Sequence, residues 1–149
     1  SGDKTENSIG GDFWIIKLDT TGTIQWQNTI NADGWDQCLS IEKTFDHGYI
    51  LGGFSASDSS YDKTENSQGM RDYWVIKLDS LGNIQWQNNI GGNKEDILQC
   101  VRQTNDGGYI LGGMSNSDNT GDKNESNIGP VNSNDYWLIK LDASGNIQW

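Results

Sequence analysis

With 149 residues and a formal net charge of −11, the chain repels phosphate backbones and anionic lipid head groups, which argues against nucleic acid and membrane surfaces as partners. No stretch approaches the ~20 apolar residues of a membrane helix, so membrane insertion is not expected. Only 33% of residues are hydrophobic, yet seven Trp, five Tyr and three Phe exclude a disordered chain, and nineteen Gly against one Pro point to short strands and tight turns.

In chain order, Ser1-Gly2-Asp3-Lys4 does not resemble a natural start and carries no signal peptide, so an excised piece is expected. The first predicted strand, Phe13 to Leu18, is a continuous apolar run broken by one Lys, the pattern of a strand buried on both faces. Asp19-Thr20-Thr21-Gly22 reads as a turn. The second strand, Thr23 to Ile30, alternates Ile24 and Trp26 with Gln25 and Gln27, as half-buried strands do. A third strand is predicted from Gln37 to Thr44. After the turn Phe45-Asp46-His47-Gly48, a fourth runs from Tyr49 to Phe54. Short links make antiparallel neighbours the expectation. Ser55 to Arg71 is a long polar loop, as is its counterpart Ser115 to Asn134.

The pattern then repeats. Asp12-Phe13-Trp14-Ile15-Ile16-Lys17-Leu18-Asp19 returns as Asp72-Tyr73-Trp74-Val75-Ile76-Lys77-Leu78-Asp79 and as Asp135-Tyr136-Trp137-Leu138-Ile139-Lys140-Leu141-Asp142. Gly48-Tyr49-Ile50-Leu51-Gly52-Gly53 returns as Gly108-Tyr109-Ile110-Leu111-Gly112-Gly113. Trp14 and Trp74 are 60 positions apart, Trp74 and Trp137 63, with the extra residues in the loop that holds Gly129-Pro130-Val131. Four short strands per repeat of about 60 residues is the pattern of a β-propeller blade, whereas a solenoid coil takes about 20–45. The expectation is an all-β chain of tandem four-stranded antiparallel blades forming part of a propeller. Residues 1–30 would be a partial blade, 31–90 a full one and 91–149 a nearly full one, with ten strands in all.

The order Gly-Gly, loop, Asp-Tyr-Trp, turn, Trp is similar to a kelch blade, which implies that the long loops leave one face of the disc. Leu78-Asp79-x-x-Gly82-x-x-x-Trp86 resembles the tryptophan-docking motif of quinoprotein propellers, but lacks the Thr before the Gly and one position after the Asp, so it implies no quinone cofactor. Over essentially all its length the chain resembles tandem repeats of large secreted or cell-surface proteins of Bacteroidetes. Those carry Asp-Tyr-Trp-Val-x-Lys-Leu-Asp-x-x-Gly-Asn-Ile-x-Trp with Asp-Gly-Gly-Tyr-Ile-Leu-Gly-Gly further on. That resemblance implies export through the type IX secretion system and a location outside the cell.

No catalytic set can be assembled. His47, the single histidine, sits in a turn where the next repeat has Gly107, and no zinc-type Cys/His spacing occurs. Cys38 and Cys100 have no counterparts at their own positions and read as unpaired apolar fillers. The flanking carboxylates Asp12, Asp19, Asp72, Asp79, Asp135 and Asp142 recur in every repeat, which fits hydrogen bonds to turn amides better than an acid–base pair. Trp14, Trp26 and their equivalents read as packing between blades. Trp35, replaced by Glu95 in the next repeat, is the candidate for an exposed contact. Asp62-Lys63-Thr64-Glu65-Asn66-Ser67 matches Asp3 to Ser8 and, in part, Asp122 to Asn127; Asp62, Glu65, Asp122 and Glu125 are therefore candidate calcium ligands.

The expected function is non-catalytic, a scaffold or binding module holding a protein or glycan on its loop face. Two alternatives stand beside it: a glycan-active propeller enzyme with its active site elsewhere, and a cargo passenger that meets the secretion machinery.

Overall fold

The computed structural model describes residues 2–130 and 133–149. Ser1 and Val131, two residues named above, lie outside them. Among the described residues there is no helix, and nine strands form: β1 (Phe13–Leu18), β2 (Ile24–Ile30), β3 (Asp36–Lys43), β4 (Tyr49–Ser55), β5 (Asp72–Leu78), β6 (Ile84–Ile90), β7 (Asp96–Gln103), β8 (Tyr109–Ser115) and β9 (Asp135–Leu141). They pair antiparallel with their chain neighbours into three sheets, β1-β2, β3-β4-β5-β6 and β7-β8-β9, none of which closes on itself. The four-stranded sheet lies wholly within residues 31–90. Strand ends agree with the predicted ones to within about a residue, because Asp19-x-x-Gly22 and its repeats end β1, β5 and β9 in the same way.

A tenth strand does not form. After the Asp142 turn, Gln148 N donates to Lys140 O at 2.8 Å and Lys140 N to Trp149 O at 2.9 Å, with a bridge between Leu141 and Ile147. Only these last residues lie along β9, too few for a ladder. β3 and β7 also carry a register shift, between Cys38 and Ser40 and between Leu98 and Cys100. This bulge sets Cys38 opposite Gly53 and Cys100 opposite Gly112.

The sheets stack face to face, and the stacking explains the composition. One core joins Phe13, Ile15 and Ile30 of the first sheet to Leu51, Trp74, Ile76 and Leu78 of the second. The other joins Ile50, Tyr73 and Val75 of the second sheet to Leu98, Val101, Leu111, Ile139 and Leu141 of the third. Successive side chains of a strand point to opposite faces, so β5 sends Trp74, Ile76 and Leu78 one way and Tyr73 and Val75 the other. Every residue of β5 is buried. Burying the seven residues of one such strand stabilises the stack more than the whole-chain hydrophobic content suggests, since each large apolar side chain contributes about 1.5–3 kcal/mol.

Candidate functional site

The long loops leave the ends of β4 and β8 and return to the starts of β5 and β9, at the end of the stack where Ser55 pairs with both Asp36 and Asp72. Side-chain hydroxyls tie each loop to the segment preceding the first strand of the same sheet. Ser57 Oγ accepts Gly34 N at 2.8 Å and Ser60 Oγ accepts Asp33 N at 3.1 Å; in the next repeat Ser117 and Thr120 accept Lys94 N and Asn93 N at 2.9 and 3.0 Å. Ser and Thr recur in these loops because each can cap a backbone amide locally.

Three of the four candidate calcium ligands are placed on amides. Asp62 Oδ2 accepts Asn31 N at 2.8 Å, and Glu65 Oε2 accepts Asn89 N of β6 at 2.6 Å. Asp122 Oδ2 accepts Gly91 N at 3.1 Å and also the Gln68 side-chain amide. Glu125 is exposed, at the rim of a cleft lined by Tyr136, Leu138 and Trp149. Among the described residues, no group of three or more His, Cys, Asp or Glu is arranged to hold a metal ion. The positive charge inside the loop comes from the chain itself. Lys63 is buried, and its ammonium donates to Glu65 O; burial lowers its pKa, while Asp72, Asp36, Glu65 and Asp58 oppose that shift. Lys123 is buried likewise and donates to Ser117 O at 2.7 Å.

Under the loops lie buried carboxylates. Asp36 takes the Ser57 hydroxyl at 3.0 Å, and Asp96 takes Gly92 N and Ser117 Oγ at 2.8 and 2.9 Å. Burial raises both pKa values above the ordinary carboxylate, against the pull of the neighbouring Ser hydroxyls.

 For Asp36 the desolvation outweighs the Ser55 and Ser57 hydroxyls and the Lys63 charge, and Asp12 adds to it; for Asp96 it outweighs Ser115, Gly92 and Ser117. One oxygen each of Asp72 and Asp96 is buried without a hydrogen-bond donor.

At the surface of this end, Trp35 is 56% exposed, as its singular place in the sequence suggested. Its indole meets Phe54 edge-on at 6.1 Å between ring centroids. The Arg71 guanidinium stands 4.7 Å from the Trp35 ring centroid and 5.2 Å from that of Phe54. Arg71 Nη1 also pairs with Glu95 of the following sheet at 3.4 Å, next to a short parallel bridge between the two residues' backbones. Lys94 pairs with Asp118 at 2.9 Å nearby. An aromatic, a guanidinium and a carboxylate from successive repeats thus form one exposed, mixed-polarity cluster. Sequence reasoning found Trp35 and missed Arg71 and Glu95. The signal was there: Gly11 and Asn134 occupy the positions of Arg71 in the other repeats.

The remaining candidates take structural places. Asp19 Oδ1 accepts Thr21 N and Thr23 N at 2.8 and 2.9 Å, and Asp79 and Asp142 repeat this pair of bonds. Asp12, Asp72 and Asp135 each accept an amide of the preceding loop, from Ile9, Gln68 and Ile128. Cys38 and Cys100 are free, and burial pushes the Cys38 thiol up to about 11. Trp74 and Trp137 pack against Phe13 and Tyr73 of the preceding sheet, but Trp14 and Trp149 are exposed. No protein-family model matches the chain, and no curated protein matches it.

Proposed function

We propose that the chain is a segment of a β-propeller that serves as a non-catalytic binding module of a secreted or cell-surface protein, and that it holds a neutral glycan or a protein at its loop-bearing end. The observation that carries this reading is the Trp35–Arg71–Glu95 cluster. It departs from the repeat, bridges two sheets and leaves much of an indole open to solvent. Exposed Trp and Arg are the side chains that contribute most to recognition surfaces, and an indole face suits the C–H groups of a sugar ring. The repeating carboxylates support the non-catalytic part: each is committed to amides of its own turn or loop. The tandem four-stranded pattern supports the propeller, and the resemblance to exported repeats supports a place outside the cell. The reading invokes no cofactor.

The test is an array of neutral glycans probed with the intact protein, followed by titration of any hit through Trp fluorescence. Trp35→Ala is expected to weaken binding at least tenfold while the thermal transition stays in place. Turnover of a polysaccharide, lost on replacing one carboxylate, would instead establish an enzyme.

A further inference from the structure

Tyr61 holds a position that glycine holds in the other repeats. Gly2, Tyr61 and Gly121 each precede the Asp-Lys of their segment, and all three have a positive φ, of 81°, 49° and 60°. The two long loops close this turn alike: Lys63 N donates to Ser60 O at 2.9 Å and Lys123 N to Thr120 O at 3.1 Å. Glycine takes the left-handed conformation freely, whereas the Cβ of a tyrosine crowds the following carbonyl. Residues held in such conformations cluster at binding and switch sites. The Tyr61 side chain does not repay the strain through the core, since the residue is 67% exposed.

The backbone beneath Tyr61 leads to Trp35. Asp62 N donates to Asn31 O at 3.1 Å and Asp33 N to Ser60 Oγ at 3.1 Å, so the turn that carries Tyr61 sits on residues 31–33. Trp35 follows two residues later, and the chain from Asn31 to Trp35 spans at most about 14 Å. Both exposed rings thus stand on one short segment at the loop-bearing end. Both also depart from the repeat, with Glu95 in place of Trp35 and Gly121 in place of Tyr61 one period on. The ground between them is polar, with Asp33 exposed and Ser60 half-buried. Charged residues are depleted from the centre of protein interfaces, so this ground suits a ligand that is itself polar between its apolar contacts.

We infer that Tyr61 is a second aromatic platform beside Trp35, and that the site takes an extended neutral glycan, several sugar rings long, laid along residues 31–35. The inference rests on the binding reading and deepens it by naming the ligand class and a second contact. A sugar ring carries C–H groups on its faces and hydroxyls around its rim. The two aromatic rings meet the faces, while Asp33, Arg71 and Glu95 offer acceptors and donors to the rim. Neutrality follows from charge: a chain of net charge −11 repels acidic glycans, and the Arg71 guanidinium is already matched by Glu95 at 3.4 Å. Once one ring is held on Trp35, the next contact is made within the same molecule, so affinity grows with the length of the glycan.

The experiment titrates the intact protein, Trp35→Ala and Tyr61→Gly with neutral gluco-, manno-, galacto- and xylo-oligosaccharides, from monosaccharide to hexasaccharide, read by Trp fluorescence. The parent is expected to gain at least about tenfold in affinity along the series that it binds. Tyr61→Gly copies the neighbouring repeats, so its thermal transition stays in place or rises. It binds the shortest sugars as the parent does and loses the gain with length, whereas Trp35→Ala weakens binding at every length. A gain that survives in Tyr61→Gly, or no gain in the parent, overturns the inference and leaves the binding reading at Trp35 intact. Binding of no oligosaccharide overturns the inference and leaves the reading to a protein ligand alone. Tyr61→Asn, a residue that tolerates positive φ, makes the same comparison should the glycine loosen the turn.

Discussion

At the residue scale, the repeats act as internal controls for one another. His47 and Gly107 occupy the same turn position, and both have a positive φ, 66° and 84°. Both turns also close alike: His47 N donates to Thr44 O at 3.0 Å and Gly107 N to Thr104 O at 2.9 Å. The left-handed conformation brings the Cβ of an L-residue too close to the following carbonyl, a cost of roughly 1–2 kcal/mol that glycine avoids. Glycine gives part of this back through the greater freedom of the unfolded chain. His47→Gly is therefore expected to stabilise the protein by about 1 kcal/mol net, read as a raised urea midpoint with an unchanged slope. A lower midpoint would show that the imidazole makes a contact worth more than the strain. The turn itself was legible in the sequence, because the next repeat has Gly107 where this one has His47.

At the scale of the element, the strands were legible and the loops were not. Phe13 to Leu18 announced itself as buried on both faces, and β5 is so, but β1 is buried on one face only, since burial depends on a second neighbouring sheet that no local pattern encodes. The loop 56–71 looked like a cation site because carboxylates crowd its sequence. What the sequence could not show is that Lys63 turns inward while Asp62 and Glu65 turn to amides of neighbouring segments. The carboxylates of these elements set the pH dependence in two opposing groups. Asp46 and Asp106 end ion pairs with the buried Lys77 and Lys140. Burial pushes Asp46 up, but the Lys77 ammonium, the Thr44 hydroxyl and the Gly48 amide together bring it down to about 2; the Thr104 hydroxyl and Lys140 bring Asp106 to about 2. Their contribution is present above the unfolded value and is lost as pH falls from there towards 2. Asp36 and Asp96, raised by burial, act the other way: their contribution is present below the unfolded value and is lost as pH rises through the folded ones. Calorimetry should therefore find the highest Tm near the ordinary carboxylate value of about 4, with a decline below it as Asp46 and Asp106 take up protons and a decline above it as Asp36 and Asp96 ionise. A Tm that climbs steadily to pH 7 would mean that Asp36 and Asp96 ionise freely in the folded protein.

At the scale of the whole molecule, stability is shared through sheet-to-sheet junctions, as in other repeat architectures, and is therefore uneven. The middle sheet has four strands and a core on each side. The first sheet has two strands and a core on one side only, and its outward residues Trp14, Ile16 and Leu18 face solvent. The candidate site depends on the same stacking: Trp35 was visible as an exception in the sequence, but its pairing with Arg71, and of Arg71 with Glu95, exists only once the second and third sheets pack and bring residues of successive repeats together. Opening free energies follow the number of buried neighbours, so amide hydrogen exchange should rank the strands. The amides of β4 and β5 are expected to exchange slowest, through global unfolding, and those of β1 and β2 fastest among the strands, through separation of the first sheet alone.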